Sequence, residues 1–213
     1  MTEVSDWFVE KTATRTLKAL EANFFGVAFF QRREELTAAI LDLARPGMKV
    51  GFGGSVTLRE LELPRLLKEK GAIPLDHWQE GLTKEEVLEL RKMQLTCDLF
   101  LTGTNAVTEK GEIVNIDGGG NRTNAMTFGP AKVIIVAGIN KVVPDTNAAI
   151  DRIRRVAAPM NAKRLKMAVP CVEKGYCQDC RSEMRICRVT SILHRKPIST
   201  DVSVYLVNEK LGY

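Results

Sequence analysis

Aromatic residues are scarce in this chain, 6% of 213, and there are only two histidines, His77 and His194. Both histidines are isolated and form no triad, which leaves them packing or surface roles. No apolar run is long enough to span a bilayer, so no membrane-crossing helix is expected. The start, MTEVSDWFVEK, carries acidic residues and no apolar stretch behind a basic segment, so it does not read as a secretory leader. The expected setting is therefore the reducing cytoplasm. Internal repeats and low-complexity tracts are absent. A ferredoxin-type C-x2-C-x2-C-x3-C run is also missing, which excludes that cluster module. Charge of one sign does not dominate either. The net charge is +5, and segments such as EELTAAILDLARPG and TKEEVLELRKMQ mix both signs. That pattern describes a solvated surface rather than a nucleic-acid face. The local exception is the basic stretch Arg152, Arg154, Arg155, Lys163, Arg164 and Lys166, which is placed to face something anionic.

What is present is apolar material for a core, 45% of the residues, and one domain is expected over 1–213. Helical spacing predicts helices over 2–22, 34–44, 56–70, 84–95 and 145–157. Strands are predicted at 24–30, 49–54, 72–76, 98–103, 131–138 and 203–209, with shorter extended pieces at NAVT and EIVNID. Pro46-Gly47 is a breaker pair, and Ser55 and Thr83 stand where N-caps belong. AKVIIVAG is rich in β-branched residues and suits a strand covered on both faces. This alternation indicates an α/β fold, a mostly parallel sheet flanked by helices.

Five cysteines are unevenly spread. Cys97 stands apart and reads as a buried small hydrophobe. Cys171, Cys177, Cys180 and Cys187 crowd into PCVEKGYCQDCRSEMRIC, with spacing C-x5-C-x2-C-x6-C. In a reducing compartment such clustering points to metal or redox chemistry rather than disulfides. Four thiolates suit an iron-sulfur cluster or a tetrahedral zinc. Zinc favours two C-x2-C knuckles, and only Cys177 and Cys180 form one, so a 4Fe–4S cluster fits better, with zinc as the alternative. Lys174, Arg181, Arg185 and Arg188 can offset thiolate charge. The Cys-rich segment, 170–190, reads as a metal-binding insertion before the last strand.

Two glycine turns follow predicted strands. GFGGSVT offers backbone N–H groups and hydroxyls at a helix start, with Gly53, Gly54, Ser55 and Thr57 as candidate anion-binding residues. The plainer reading is a tight turn. IDGGGNR joins Asp117 as an orienting or basic carboxylate to Gly118, Gly119, Asn121 and Arg122. Arg122 is suited to hold a carboxylate or phosphate bidentately, although Asp-Gly is also a turn signal. Both turns are expected at the carboxyl ends of parallel strands, where such sheets bind ligands. Asn105 is a further candidate binder. Glu109, before a glycine in TGTNAVTEKG, is a candidate acyl-accepting carboxylate, with a hairpin tip as the plainer reading.

The stretch LFLTGTNAVTEKGEIVNIDGGGNRTNAMTFGPAKVIIVAGINKVVPD, with GFGGSVTLRE, the ending VYLVNEKLGY and the cysteine segment, resembles the LUD-domain (lactate utilization) family, in particular its short single-domain members. The resemblance covers nearly the whole chain. It implies a fold like those of ribose-5-phosphate isomerase and the coenzyme A transferases, and an association with oxidation of lactate to pyruvate alongside other redox subunits. The leading expectation is a redox-associated protein with an iron-sulfur cluster next to a pocket for a small anionic metabolite, homo-oligomers being allowed. The alternatives are an isomerase or acyl-transfer enzyme with structural zinc, and a regulatory or assembly subunit that binds a small molecule without turnover.

Overall fold

The computed structural model describes residues 3–213. Its strands, in chain order, are β1 Gly26–Phe30, β2 Lys49–Gly53, β3 Ile73–Leu75, β4 Leu99–Gly103, β5 Ala106–Thr108, β6 Ile113–Asp117, β7 Lys132–Gly138, β8 Val142–Val143, β9 Val189–Leu193 and β10 Asp201–Val207. The helices are α1 Glu3–Ala22, α2 Arg33–Leu41, α3 Val56–Glu60, α4 Leu63–Glu69, α5 Lys84–Met93, α6 Asn121–Thr127, α7 Thr146–Arg152, α8 Ala158–Arg164 and α9 Pro170–Lys174. The expected first helix is present, with its position 2 outside the described residues.

Six strands form one sheet in the order β1-β10-β7-β4-β2-β3, and every neighbouring pair is parallel. The central strand β7 explains its own composition. Val133, Ile135 and Ala137 enter one hydrophobic cluster, with Leu20 of α1 and Met126 of α6. Ile134 and Val136 enter another, with Leu36 and Ile40 of α2 and Leu63 and Leu67 of α4. A strand with helices over both faces must be apolar at successive positions, and β7 is.

A second, four-stranded sheet runs β8-β5-β6-β9. Here β5–β6 and β6–β9 are antiparallel, while β5–β8 is parallel. The glycine-rich DGGGNR turn thus follows a strand of this mixed sheet, not of the parallel sheet as expected. The sheet packs Ala106 and Val114 against Ala149 of α7, Ile153 and Ala158. Strand β9 escaped the sequence reading because its first residues, Val189 and Thr190, are exposed and no apolar alternation develops.

Other departures have local causes. The helix expected over 56–70 breaks into α3 and α4 at Glu62, which is left-handed (φ 51°), and Pro64 starts the second piece. The helix expected to end at 157 instead continues through a widened π turn at Ile153–Ala157 into α8. Helix α5 begins as expected, with Thr83 Oγ1 accepting the Glu86 N–H at 3.2 Å and Glu86 reaching back to the Thr83 N–H at 2.7 Å. Cys97 is buried as expected, and burial pushes its thiol up to about 11.

The β5–β6 hairpin turns at Gly111, whose φ is +78° and whose α-carbon faces the Ala19 backbone closely enough that a methyl there would lie 2.4 Å from its carbonyl atoms. Both strain and clash follow, so Gly111→Ala should cost about 2 kcal/mol or more. Urea unfolding with an unchanged slope and a lowered midpoint is the expected result.

Candidate functional site: a cationic cavity with a cysteine pocket behind it

A cavity of about 230 Å³ opens where β2 and β4 end. The turn after β2 brings Gly54, Ser55 and Thr57, the segment after β4 brings Thr104 and Asn105, and the turn after β6 brings Asp117, Gly118, Gly119, Asn121 and Arg122. The two glycine turns singled out in the sequence therefore line one cavity, despite rising from different sheets. Close approach accounts for two of the glycines. A methyl on Gly103 would lie 2.5 Å from Ser55 Oγ, and one on Gly54 would lie 2.8 Å from the Trp78 ring. Ser55 occupies the N-cap position of α3, but its side chain makes no capping bond.

Arg122 does not present a free fork to the cavity. Its Nη2 lies 2.7 Å from Asp117 Oδ1, and its Nε donates to the same oxygen at 2.9 Å. Nη1 donates to Asn115 Oδ1 at 2.8 Å and to the Gly103 carbonyl at 3.3 Å, and Nη2 to Asn105 Oδ1 at 3.2 Å. The second Asp117 oxygen accepts the Thr123 N–H at 3.2 Å. Asn105 Oδ1 also accepts the Ile116 N–H at 2.9 Å. The carboxylate, the guanidinium and Asn105 thus satisfy one another, and the charge-assisted donors expected to grip a ligand are spent on the protein.

Lys141 is the cationic group that the sequence reading overlooked. It is 3% exposed, lines the cavity, and donates from Nζ to Thr57 Oγ1 at 2.9 Å. Burial, then the positive charges of Arg152 and Arg122, lower its pKa to about 7, with Glu60 opposing. Nothing in GINKVV marks this lysine as buried, because the turn that folds it inward is set by tertiary packing.

His77 and Trp78, just after β3, also reach the cavity. The Gln94 side-chain amide nitrogen lies 3.0 Å from His77 Nδ1 and also donates to the carbonyls of Leu75 and Phe52. Burial chiefly, then the charge of Arg91, lowers the His77 pKa to about 4. Two guanidiniums lie over the Trp78 ring, Arg164 at 4.3 Å and Arg59 at 5.2 Å from its centroid. Arg59 is held by Asp76 at 2.6 Å. The Nε of Arg91, another lining residue, is buried without a hydrogen-bond partner. With Asp117 committed to Arg122, the charges lining the cavity that lack a carboxylate partner are positive.

Glu109 lies elsewhere. It does not line the cavity and pairs with Arg15 of α1 at 2.8 Å, at the tip of the β5–β6 hairpin. Its candidacy as an acyl acceptor gives way to the hairpin reading. His194, exposed, lies 2.7 Å from Glu112. Of the basic stretch 152–166, Arg152 turns inward and donates to the Asn105 carbonyl at 2.7 Å, and Arg164 lines the cavity.

The four clustered cysteines line a second, smaller pocket, floored by Ala158, Val169 and Ile186. Ala158, Ile186 and Cys187 belong to both walls. Burial, then the Cys177 thiol, push Cys187 up to about 11, while Arg185 opposes. Cys171 is raised by burial and by Cys177 and Cys180. Arg185 laces the segment, donating to the carbonyls of Cys187 at 2.6 Å and Cys180 at 2.8 Å. The Asp179 N–H points at Cys177 Sγ, 3.3 Å away. Among the described residues no three His, Cys, Asp or Glu side chains close around one point for an ion. The donor set still suits a thiolate-bound group: four sulfurs on one pocket, an N–H aimed at sulfur, and a guanidinium beside them.

Two outcomes follow. Arg122→Ala should destabilise the fold by about 3 kcal/mol, because it strands Asp117 in the interior, and Arg122→Lys should rescue little, lacking the fork; chemical denaturation measures both. Because the folded-state pKa of His77 is depressed, its contribution is fully present above about 6.5 and is lost as pH falls toward about 4. Over that window stability should drop by up to about 1.4 kcal/mol per pH unit, and His77→Gln should flatten the slope.

The model of the LUD domain matches residues 13–207. A solved structure described as a DUF162 family protein from Deinococcus radiodurans has a TM-score of 0.54 at 13% identity, covering 93% of this chain and 98% of that one, and shows the same α/β fold. A solved structure of eIF2B beta from Chaetomium thermophilum aligns with a TM-score of 0.36 and 14% identity over 54% of this chain and 44% of that one, too little to carry an argument. None of the curated proteins matches the sequence. The domain match runs from within α1 to the last residue of β10, taking in both sheets and most of the residues around the cavity: the chain belongs to the LUD-domain family, the family associated with lactate utilization.

Proposed function

We propose that this protein serves the redox utilization of lactate or related 2-hydroxy acids, holding a small carboxylate in the cationic cavity next to an iron-sulfur cluster carried by Cys171, Cys177, Cys180 and Cys187. The observation that carries this reading is the shared wall. Cys187 and Ile186 line both the cysteine pocket and the cavity, so a group held by the thiolates would sit directly behind the ligand. When bound, such a cluster supplies a store for single electrons. The chain's own residues do the rest. Ser55 and Thr57 offer hydroxyls, and Arg91 offers positive charge to a carboxylate. The neutral His77 offers an imidazole ring at the cavity wall. Arg122 and Asp117 fix the turn that forms one side.

The kinship with ribose-5-phosphate isomerase and the coenzyme A transferases belongs to this proposal. It is supported by the glycine turn that leads from β2 into α3 at the cavity's rim. The acyl-transfer alternative loses its carboxylate, since Glu109 is paired outside the cavity. Electron exchange would require other redox subunits as partners.

Anaerobic purification with iron, sulfide and zinc analysis tests the reading. A brown protein whose visible absorbance dithionite bleaches is the expected outcome. A colourless protein holding zinc alone would overturn the redox assignment. Cys180→Ser should lose the bound iron and loosen the segment around it, whereas Cys97→Ser, far from the pocket, should keep the wild-type iron content.

A further inference from the structure

We propose that Lys141 captures the carbonyl group of a 2-oxo acid as an imine, making it a covalent residue of the cavity. The inference rests on the reading of the cavity as a carboxylate site and goes beyond it by assigning a nucleophile.

The argument begins with what Lys141 lacks. Lysines as deeply buried as this one, 3% exposed, are usually paired with a carboxylate. Among the described residues no carboxylate lies within ion-pairing distance of its Nζ, whose hydrogen-bond partner is Thr57 Oγ1 at 2.9 Å. The nearest acidic influence, Glu60, is exposed and accepts the Gly212 N–H at 2.8 Å. The nearby charges are positive and already committed. Arg122 is bound to Asp117, and Arg152 donates to the carbonyls of Asn140 and Asn105. An ammonium would bury three N–H groups with one acceptor between them. A neutral amine meets the same surroundings with a lone pair left to use. Burial and the two arginines favour that form, placing the pKa at about 7. A desolvated lysine beside other cations is the usual way to make an amine nucleophilic.

The cavity supplies the rest of the recognition. Ser55 and Thr57 carry hydroxyl donors for a carboxylate in the same space, and the Arg91 side chain lines it. At about 230 Å³ it suits an acid of a few heavy atoms. In a 2-oxo acid the electrophilic carbon adjoins the carboxylate, so anchoring the anion delivers the carbonyl. The Nζ lone pair forms the C–N bond, the carbonyl oxygen takes up the protons that nitrogen releases, and that oxygen leaves as water, giving the C=N bond. No oxidant or reductant is consumed.

Reductive trapping tests this on the unaltered protein. Pyruvate is added near pH 7 with sodium borohydride, which delivers hydride to the imine carbon, and the adduct is located by intact mass and peptide mapping. The expected result is one adduct, on Lys141. At this pH an amine with pKa near 7 is ~10³-fold more available than an ordinary lysine, and labelling should favour it on that order. Acetone, which lacks the carboxylate, should label Lys141 far more slowly, and the labelling rate should level off above about pH 7 rather than climb toward 10. Calorimetric titration of pyruvate runs alongside. Binding without an adduct, or adducts scattered over surface lysines, overturns the imine and leaves the anion cavity standing. Neither binding nor adduct overturns both.

Discussion

The guanidinium of Arg122 ties the two sheets together. From α6 it reaches Asp117 and Asn115 of β6, the Gly103 carbonyl at the end of β4, and Asn105 in the segment between. Few single groups can do this. A planar fork with five N–H donors can meet several acceptors at once, and burial with low solvent competition makes each bond count. The relation between the parallel sheet and the mixed sheet is therefore fixed at the rim of the cavity as well as in the apolar core beneath it, where Val107, Ile113 and Leu193 pack with Phe100, Val133 and Ile135. Asp117 would be costly there without its partner, so site and fold share one interaction.

That arrangement decides the electrostatics of the cavity. Because the Asp117 charge is neutralised locally, Lys141 and Arg91 are left without anionic partners, and Arg122 and Arg152 act on Lys141 only as positive charge. Solvent cannot screen a group buried this deeply, so burial and the two arginines hold the cavity's lysine near neutrality. His77 is kept uncharged by the same physics, burial plus a neighbouring arginine. The site combines donors that stay neutral with a few cations, and its acid, Asp117, is held by Arg122.

The cysteine segment follows a different logic. Residues between α9 and β9 have little core of their own. Cys187 packs against the smaller cluster and Ile186 is half-buried, while Tyr176 and Met184 are exposed. Arg185, bonded to two backbone carbonyls and paired with Asp179 at 3.0 Å, organises what the missing core cannot. Such a segment gains most from a group that binds several side chains at once, since ordering is then shared among the ligands.

Much of this was legible in the sequence. Apolar runs of β-branched residues marked β7 as a central strand, alternating helices and strands marked the α/β fold, Thr83 with Glu86 marked the start of α5, and cysteine density marked the segment 170–190. These signals are local, since each depends on the period or chemistry of a short stretch. The glycine turns were visible too, but the meaning of Arg122 was not, because whether a guanidinium faces a ligand or a carboxylate depends on what the other sheet brings beside it. Glu109 was ambiguous for the same reason until the hairpin turned it toward Arg15. Lys141 and His77 carry no motif at all. The chain alone determined which elements form and which residues have reactive chemistry. Only the tertiary structure decided which of those residues lose their water and which charges they meet, because desolvation and Coulomb interaction depend on distance in space and not on separation along the chain.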